Sequence, residues 1–173
     1  MDTITFDKLL LKTAFCCMAA DGNIDEKEIT LLKSMCEKSP LFVNFNFKEE
    51  INLLISKINS SGKTFIQNYF DLLKNFQLSE QEELILIDFA IQTINADERV
   101  EYSEIKFFKN IKHRLKVSDE KILERFPDIE LYLEQDIITD GYLDKITSQY
   151  FEVTDIPQFD LISIAGNSQE EKK

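Results

Sequence analysis

Residues that break helices are scarce in this chain of 173 residues, which contains 4 glycines and 3 prolines. A strand-rich fold of this size needs many tight turns, and such turns draw heavily on glycine and proline. Hydrophobic residues make up 43% of the sequence and include 14 phenylalanines, enough to build a substantial core. The composition therefore favours an all-α globular fold over a β-rich or disordered chain.

Positive charge is also in short supply, because 20 lysines and arginines face 32 aspartates and glutamates, for a formal net charge of −12. Binding to nucleic acid and attachment to an anionic membrane both depend on a basic surface. The acidic excess concentrates in residues 117–173, which carry 14 acidic and 5 basic side chains. We therefore expect no nucleic-acid partner and a solvated, acidic C-terminal third.

Long apolar runs and paired cysteines are missing as well. The sequence has no stretch near the roughly 18 apolar residues of a membrane span and no basic segment ahead of an apolar one near Met1. Cys16, Cys17 and Cys36 are odd in number and form no Cys-x-x-Cys pair, which disfavours a disulfide framework or a zinc site. The sequence thus predicts a cytoplasmic protein, without direct membrane insertion, whose thiols are buried and reduced.

Apolar residues recur at helical spacing along most of the chain and predict about seven helices. Gly22 is suited to end the first of them, and Pro127 to interrupt the last. The first two predicted helices cover residues 5–20 and run from Asp25 to Lys38. The third runs from Asn46 to the turn Ser60-Ser61-Gly62, and the fourth runs from that turn to Phe76. The fifth runs from Ser79 to Ile94, the sixth covers residues 102–115, and the seventh begins at Ser118. The fifth is apolar on nearly every side, so we expect it to be central.

A ten-residue segment occurs twice, at a constant offset of 76 residues. Residues 20–29 read ADGNIDEKEI and residues 96–105 read ADERVEYSEI. The match extends outwards on both sides and pairs Ala14 with Ala90. Such agreement over a helix, a turn and a second helix predicts duplicated helix-turn-helix hairpins packed about a pseudo-two-fold axis.

Each copy carries three acidic residues that a sharp turn would bring together. They are Asp21, Asp25 and Glu28 in the first copy, and Asp97, Glu101 and Glu104 in the second. In one interpretation, the acids after the turn only cap a helix, while the first aspartate bonds turn amides. In the other, the cluster holds Ca²⁺ or Mg²⁺ weakly, because carboxylates without histidine or cysteine suit hard cations. An aspartate recurring at an electrostatically unfavourable helix end favours the cation slightly.

Residues 20–29 and their counterpart at 96–105 resemble the tellurite-resistance TerB family and the wider TerB-like superfamily. The resemblance covers about residues 5–117 and leaves residues 118–173 as an acidic extension, partly helical, with a frayed tail. It implies a domain of about seven helices whose six acidic residues form a metal-binding surface, and a role in resistance to tellurite and other chemical stress. Glu98 departs from the pattern at the position of Gly22, so the resemblance does not extend a metal geometry inferred for the first copy to the second.

Two rival functions fit the sequence less well. An EF-hand loop would place Cys17 and Ala19 at positions that need oxygen ligands. An enzyme would need a catalytic group, but the single histidine, His113, lies among basic residues and is poorly suited to that role. The sequence also contains no phosphate-binding glycine loop. We therefore expect a non-enzymatic binding module with a protein partner. The alternative to the cation surface is a metal-free protein-protein interaction domain.

Residues 156–164 contain five large apolar side chains within nine positions. Full burial of each such side chain is worth roughly 1.5–3 kcal/mol. We expect this segment to dock on a surface, either of this domain or of a partner.

Overall fold

A computed structural model describes residues 4–20, 22–97, 100, 102–134 and 161–162, without the side chains of Asp97 and Tyr102. Over these residues the chain forms eight α-helices and no strand, which confirms the all-α prediction. Two short 3₁₀ segments, Asn95–Asp97 and Pro127–Ile129, accompany them. The helices are α1 (Phe6–Ala19), α2 (Glu26–Lys38), α3 (Phe47–Ser61), α4 (Lys63–Asn75), α5 (Glu80–Ile94), α6 (Tyr102–His113), α7 (Asp119–Arg125) and α8 (Glu130–Leu133).

Within the described ranges, none of these helices has both the length and the apolar character needed to cross a membrane.

Several helices begin at the capping residues that the sequence predicts. The Oδ1 atom of Asn46 accepts a hydrogen bond from the N–H of Glu49 at 3.2 Å at the start of α3. Ser79 and Glu82 form a reciprocal capping box before α5, with bonds of 3.2 and 2.8 Å. These bonds satisfy N–H groups that lack an intrahelical partner, so each start is specified locally.

The helix ends follow the breakers. Gly22 and Gly62 have positive φ angles of 81° and 43°, which a residue with a Cβ adopts only at a cost. Gly62 separates α3 from α4, and its N–H donates to the carbonyl of Ile58 at 2.8 Å. Pro127 begins a 3₁₀ segment after α7, as an interrupting proline should. Helix α6 ends at His113, two residues before the predicted end.

Helices α1 and α5 pack against each other at the centre of the fold. Both are buried on most sides, which confirms the central position predicted for α5. Helix α1 is equally central, which its apolar periodicity alone did not indicate. Helix α4 is tied to α1 by the buried Tyr69, whose hydroxyl donates to Oγ1 of Thr13 at 2.9 Å. Because the Thr13 hydroxyl in turn donates to the carbonyl of Leu9, no polar atom in this chain of bonds is left unsatisfied.

The helices after residue 117 share this core. Ile122 of α7 and Ile129 of the following 3₁₀ segment are both buried in it, and Tyr132 of α8 packs edge-on against Phe108 with ring centroids 5.7 Å apart. The core of the described residues therefore continues past the predicted domain boundary. The predicted frayed tail, and all of residues 156–164 except Leu161 and Ile162, lie outside the described residues.

Candidate functional site: the acidic turns

The first acidic turn joins α1 to α2 and places Asp25 at the start of α2. The N–H of Gly22 donates to the carbonyl of Ala19 at 3.0 Å, which closes α1. The Oδ1 atom of Asp25 accepts from the N–H of Lys27, and the N–H of Asp25 donates to Oε2 of Glu28, each at 2.9 Å. Asp25 and Glu28 thus form a capping box, and their carboxylates fasten the start of α2.

Glu28 of α2 and Glu104 of α6, which correspond in the two copies of the repeat, are both buried. Their side chains are 3% and 2% exposed. Carboxylates this deep are rare unless they are paired or hydrogen-bonded, and neither of these is without a partner.

Both buried glutamates raise the pKa of the same thiol, that of Cys17 on α1. Burial raises the pKa of Cys17 well above its ordinary value, and the neighbouring Cys16, Glu104 and Glu28 raise it further. A thiolate beside two carboxylates would be repelled, so Cys17 stays neutral. Glu28 of α2 and Glu104 of α6 therefore both contribute negative charge to the surroundings of Cys17.

The described start of the second acidic turn, the 3₁₀ segment Asn95–Asp97, lies against α2 and is bonded to α8. Tyr132 of α8 donates its hydroxyl to Oδ1 of Asn95 at 2.8 Å, and burial together with the charge of Glu104 raises the pKa of Tyr132. Sequence reasoning missed Asn95 and Tyr132, because a contact between residues 37 positions apart leaves no local pattern.

The structure places three of the six predicted metal ligands, namely Asp25, Glu28 and Glu104. Asp21 and Glu101 lie outside the described residues, as does the side chain of Asp97. Among the side chains that the structure does describe, no three of histidine, cysteine, aspartate or glutamate form a group that could hold a metal ion. The Ca²⁺ or Mg²⁺ site stays a prediction.

Three of the four residues that an EF-hand would need as its first ligands are helical and buried, and the fourth, Asn95, is exposed in a 3₁₀ segment. Cys17 and Ala19 belong to α1, and both lie in the core. Thr93, the counterpart of Cys17, is buried in α5, where its hydroxyl donates to the carbonyl of Phe89 at 2.7 Å. An EF-hand loop would need these positions as exposed ligands around an ion, so the geometry argues against it. The lone histidine, His113, is exposed on the last turn of α6.

A cavity of about 360 Å³ lies at the opposite end of α2 from the first acidic turn. Phe42, Phe45 and Phe47 contribute aromatic surface to it, and Lys33 and Lys48 contribute positive charge. The signal for this cavity in the sequence is a group of three phenylalanines within six positions, before and at the start of a helix.

No protein-family model, no curated protein and no solved structure matches this chain. The resemblance to the TerB family therefore depends on the residues of the duplicated segment.

Proposed function

We propose that this protein is a non-enzymatic, TerB-like stress-response module of the tellurite-resistance type. It acts by binding, and its fold is two copies of a helix-turn-helix unit related by a pseudo-two-fold axis. The observation that carries the proposal is the pair Glu28 and Glu104, which are 76 residues apart, both buried, and both of which raise the pKa of Cys17.

The arrangement of the helices supports the duplicated architecture. Helices α2 and α6 begin 76 residues apart, the same offset that separates the two copies of the segment. Helices α1 and α5, which precede the two turns, pack on each other at the centre. Helix α2 packs on α5, and α6 packs on α1, so each copy contributes to the surroundings of the other. Such reciprocal packing is what a two-fold relation between the copies produces.

The geometry of the first turn favours the metal-free form of the proposal, in which the protein binds a protein partner. Asp25 and Glu28 already accept hydrogen bonds from backbone N–H groups, so helix capping accounts for their presence without a cation. The buried Glu28 is also poorly placed to meet an ion that arrives from solvent.

The second form, weak Ca²⁺ or Mg²⁺ binding at the acidic turns, is favoured by a different observation. Two buried carboxylates near one neutral thiol concentrate negative charge in an apolar surrounding, and a bound cation would offset it. Asp21 and Asp25 would supply oxygen ligands at the turn itself. With few protein ligands, the dissociation constant would be about 10⁻⁴–10⁻³ M.

Thermal melting of the wild type and of Asp21→Asn, each with and without millimolar Ca²⁺, distinguishes the two forms. Weak binding should raise the wild-type melting temperature by roughly 2–4 °C through linkage. Asp21→Asn should remove that rise and keep the fold, because asparagine can still form the turn. Four identical curves would reject the cation form and leave the metal-free one.

The stress-response role has its own test, in cells of the source organism that lack the gene. These cells should survive tellurite less well, and the wild-type gene should restore survival. If the protein acts without a metal, the Asp21→Asn gene should also restore survival. If it acts by binding a cation, the Asp21→Asn gene should fail to restore survival. Unchanged survival of the deletion strain under tellurite and under other chemical stress would contradict the proposed role.

A further inference from the structure

The side chain of Asn52 on α3 binds the backbone of one distant residue at two points. Its Oδ1 atom accepts from the N–H of Ile162 at 3.1 Å, and its Nδ2 atom donates to the carbonyl of Ile162 at 3.4 Å. The two residues are 110 positions apart in the chain. A neighbouring β-strand pairs with the N–H and C=O of one residue in the same way, and such pairing requires no particular side chain.

The side chains of the bound dipeptide differ in burial. Ile162 packs partly buried against the core, whereas Leu161 is 62% exposed. Adjacent residues with one side chain inward and the next outward are typical of an extended segment. Ile162 thus contacts this domain, while Leu161 is exposed to solvent. The remaining residues of the apolar segment 156–164 lie outside the described residues, so its docking as a whole stays a prediction.

We propose that α3 carries a peptide-binding site centred on Asn52. It takes an extended peptide with a branched aliphatic residue, and Ile162 of the same chain occupies it as a displaceable ligand. Asn52 recognises the backbone, and the core beside it recognises the aliphatic side chain. The site is separate from the acidic turns, so it does not depend on their function.

Over the described residues, the attachment at Ile162 consists of two hydrogen bonds to a half-buried asparagine and one partly buried side chain. Bonds of this kind can be exchanged for those of another peptide. A partner peptide that offers the same groups can make the same bonds. The segment within the chain has the advantage of a high effective concentration, typically about millimolar for a flexible connection. A peptide added in solution should therefore bind well only after Ile162 has been removed from the site.

The test uses the full-length protein and a fluorescent synthetic peptide that corresponds to residues 157–166. Ile162→Asp removes the aliphatic group from the chain's own segment, so the peptide should bind this variant more tightly than the wild type. Adding Asn52→Ala to Ile162→Asp should weaken peptide binding roughly tenfold, because two hydrogen bonds are lost. Asn68→Ala, at an exposed asparagine of α4, is the matched control and should leave affinity unchanged.

A chemical change in the peptide separates backbone recognition from burial of the side chain. N-methylation at Ile162 removes the N–H that Asn52 accepts and keeps the side chain, so it should weaken binding as Asn52→Ala does. Equal affinity of the methylated and unmethylated peptides would overturn the proposal. So would equal affinity of the Ile162→Asp protein with and without Asn52→Ala, or no binding of millimolar peptide to the Ile162→Asp protein.

A label at the exposed Leu161 reports whether the chain's own Ile162 occupies the site at Asn52. In Leu161→Cys the introduced thiol is the accessible one, since Cys16, Cys17 and Cys36 are buried. A fluorophore there should be less mobile with Asn52 present than in the Asn52→Ala background, as judged by anisotropy. Equal anisotropy in both backgrounds would contradict occupancy of the site by the chain itself.

Discussion

Among single residues, Glu83 connects two parts of the chain that are distant in sequence. It lies in the first turns of α5, is 4% exposed, and accepts hydrogen bonds from the N–H groups of Lys116 and Val117. The shortest of these bonds is 2.7 Å, to Val117. Buried backbone N–H groups need partners, and a buried carboxylate needs donors, so each satisfies the other. Glu83 thereby holds the connection between α6 and α7 against α5.

We expect Glu83→Ala to lower the free energy of unfolding by about 2–3 kcal/mol, because it removes charge-assisted bonds and leaves two N–H groups unpaired. Glu83→Gln should cost less, since the amide oxygen still accepts. Urea denaturation measures both, and Gln81→Ala, at an exposed position of the same helix, should change stability by less than about 0.5 kcal/mol. Equal stability of Glu83→Ala and Gln81→Ala would show that the carboxylate does not hold the connection.

The buried thiols make stability depend on alkaline pH. Burial raises the pKa of Cys16 to about 12, although the nearby Lys12 lowers it, and burial together with Glu37 raises the pKa of Cys36 to about 12. In the unfolded chain a thiol ionises near its ordinary pKa of 9.0. The unfolded state therefore loses protons first, and the stability contributed by these neutral thiols, complete below pH 9, is lost as the pH rises towards 12.

We expect the free energy of unfolding to fall above pH 9 by about 1.4 kcal/mol per pH unit for each such thiol. Urea denaturation at a series of pH values from neutral to strongly alkaline measures the slope. Cys16→Ala should reduce the slope by the share of one thiol, which separates this effect from other groups that titrate in the same range. An unchanged slope in Cys16→Ala would be inconsistent with a neutral, buried Cys16.

Among the elements, α2 and α5 begin in the same way although they occupy different copies of the repeat. Asp25 caps α2 and Ser79 caps α5, and in both cases a glutamate three residues later completes a capping box. A capping box involves residues only three positions apart, so its pattern is visible in the sequence. The acidic turn thus has a structural role at the start of α2, whatever else it binds.

Asp25→Ala should destabilise the protein by about 1 kcal/mol through loss of the cap, whereas Asp25→Asn should cost much less because asparagine caps helices equally well. Chemical denaturation compares them, with Glu26→Ala, an exposed residue of the same first turn, as the control. If Asp25→Asn proved as costly as Asp25→Ala, the charge and not the cap would be what stabilises this turn.

On the scale of the whole molecule, the packing of α1 on α5 determines how the two halves meet. Ala14 and Ala90, which correspond in the repeat, are both fully buried on these central helices. Small residues at such positions let neighbouring elements approach closely, and close packing leaves no room for added methyl groups. A pseudo-two-fold relation implies that the two positions have similar surroundings.

We therefore expect Ala14→Leu and Ala90→Leu each to destabilise the protein, by about 1–3 kcal/mol, through overpacking. Urea denaturation should give similar losses for the two, and a small one for Gln92→Leu on the exposed side of α5. A severe loss at one alanine with none at the other would contradict equivalent surroundings. An experimental structure in which residues 5–38 and 79–116 fail to superpose would contradict the duplication itself.

The signals that worked at the sequence level act over a few residues. Capping side chains, glycines at positive φ and a proline marked most helix boundaries, because each acts on backbone groups within one turn. Apolar periodicity identified α5 as central, since a helix that is apolar on nearly all sides must be surrounded. Composition excluded a strand-rich fold for similar reasons, because turns need residues that this chain rarely has.

Tertiary structure alone decided which of these local features meet. The sequence marked Glu28 and Glu104 as equivalent, but only the packing of the helices buries both and lets the charge of each raise the pKa of Cys17. The attachment of Ile162 to Asn52 likewise joins residues 110 positions apart. Such contacts depend on how whole helices are arranged, and no pattern within a few residues encodes that arrangement. The sequence by itself therefore determined where the helices begin and end, and their packing determined which side chains share a site.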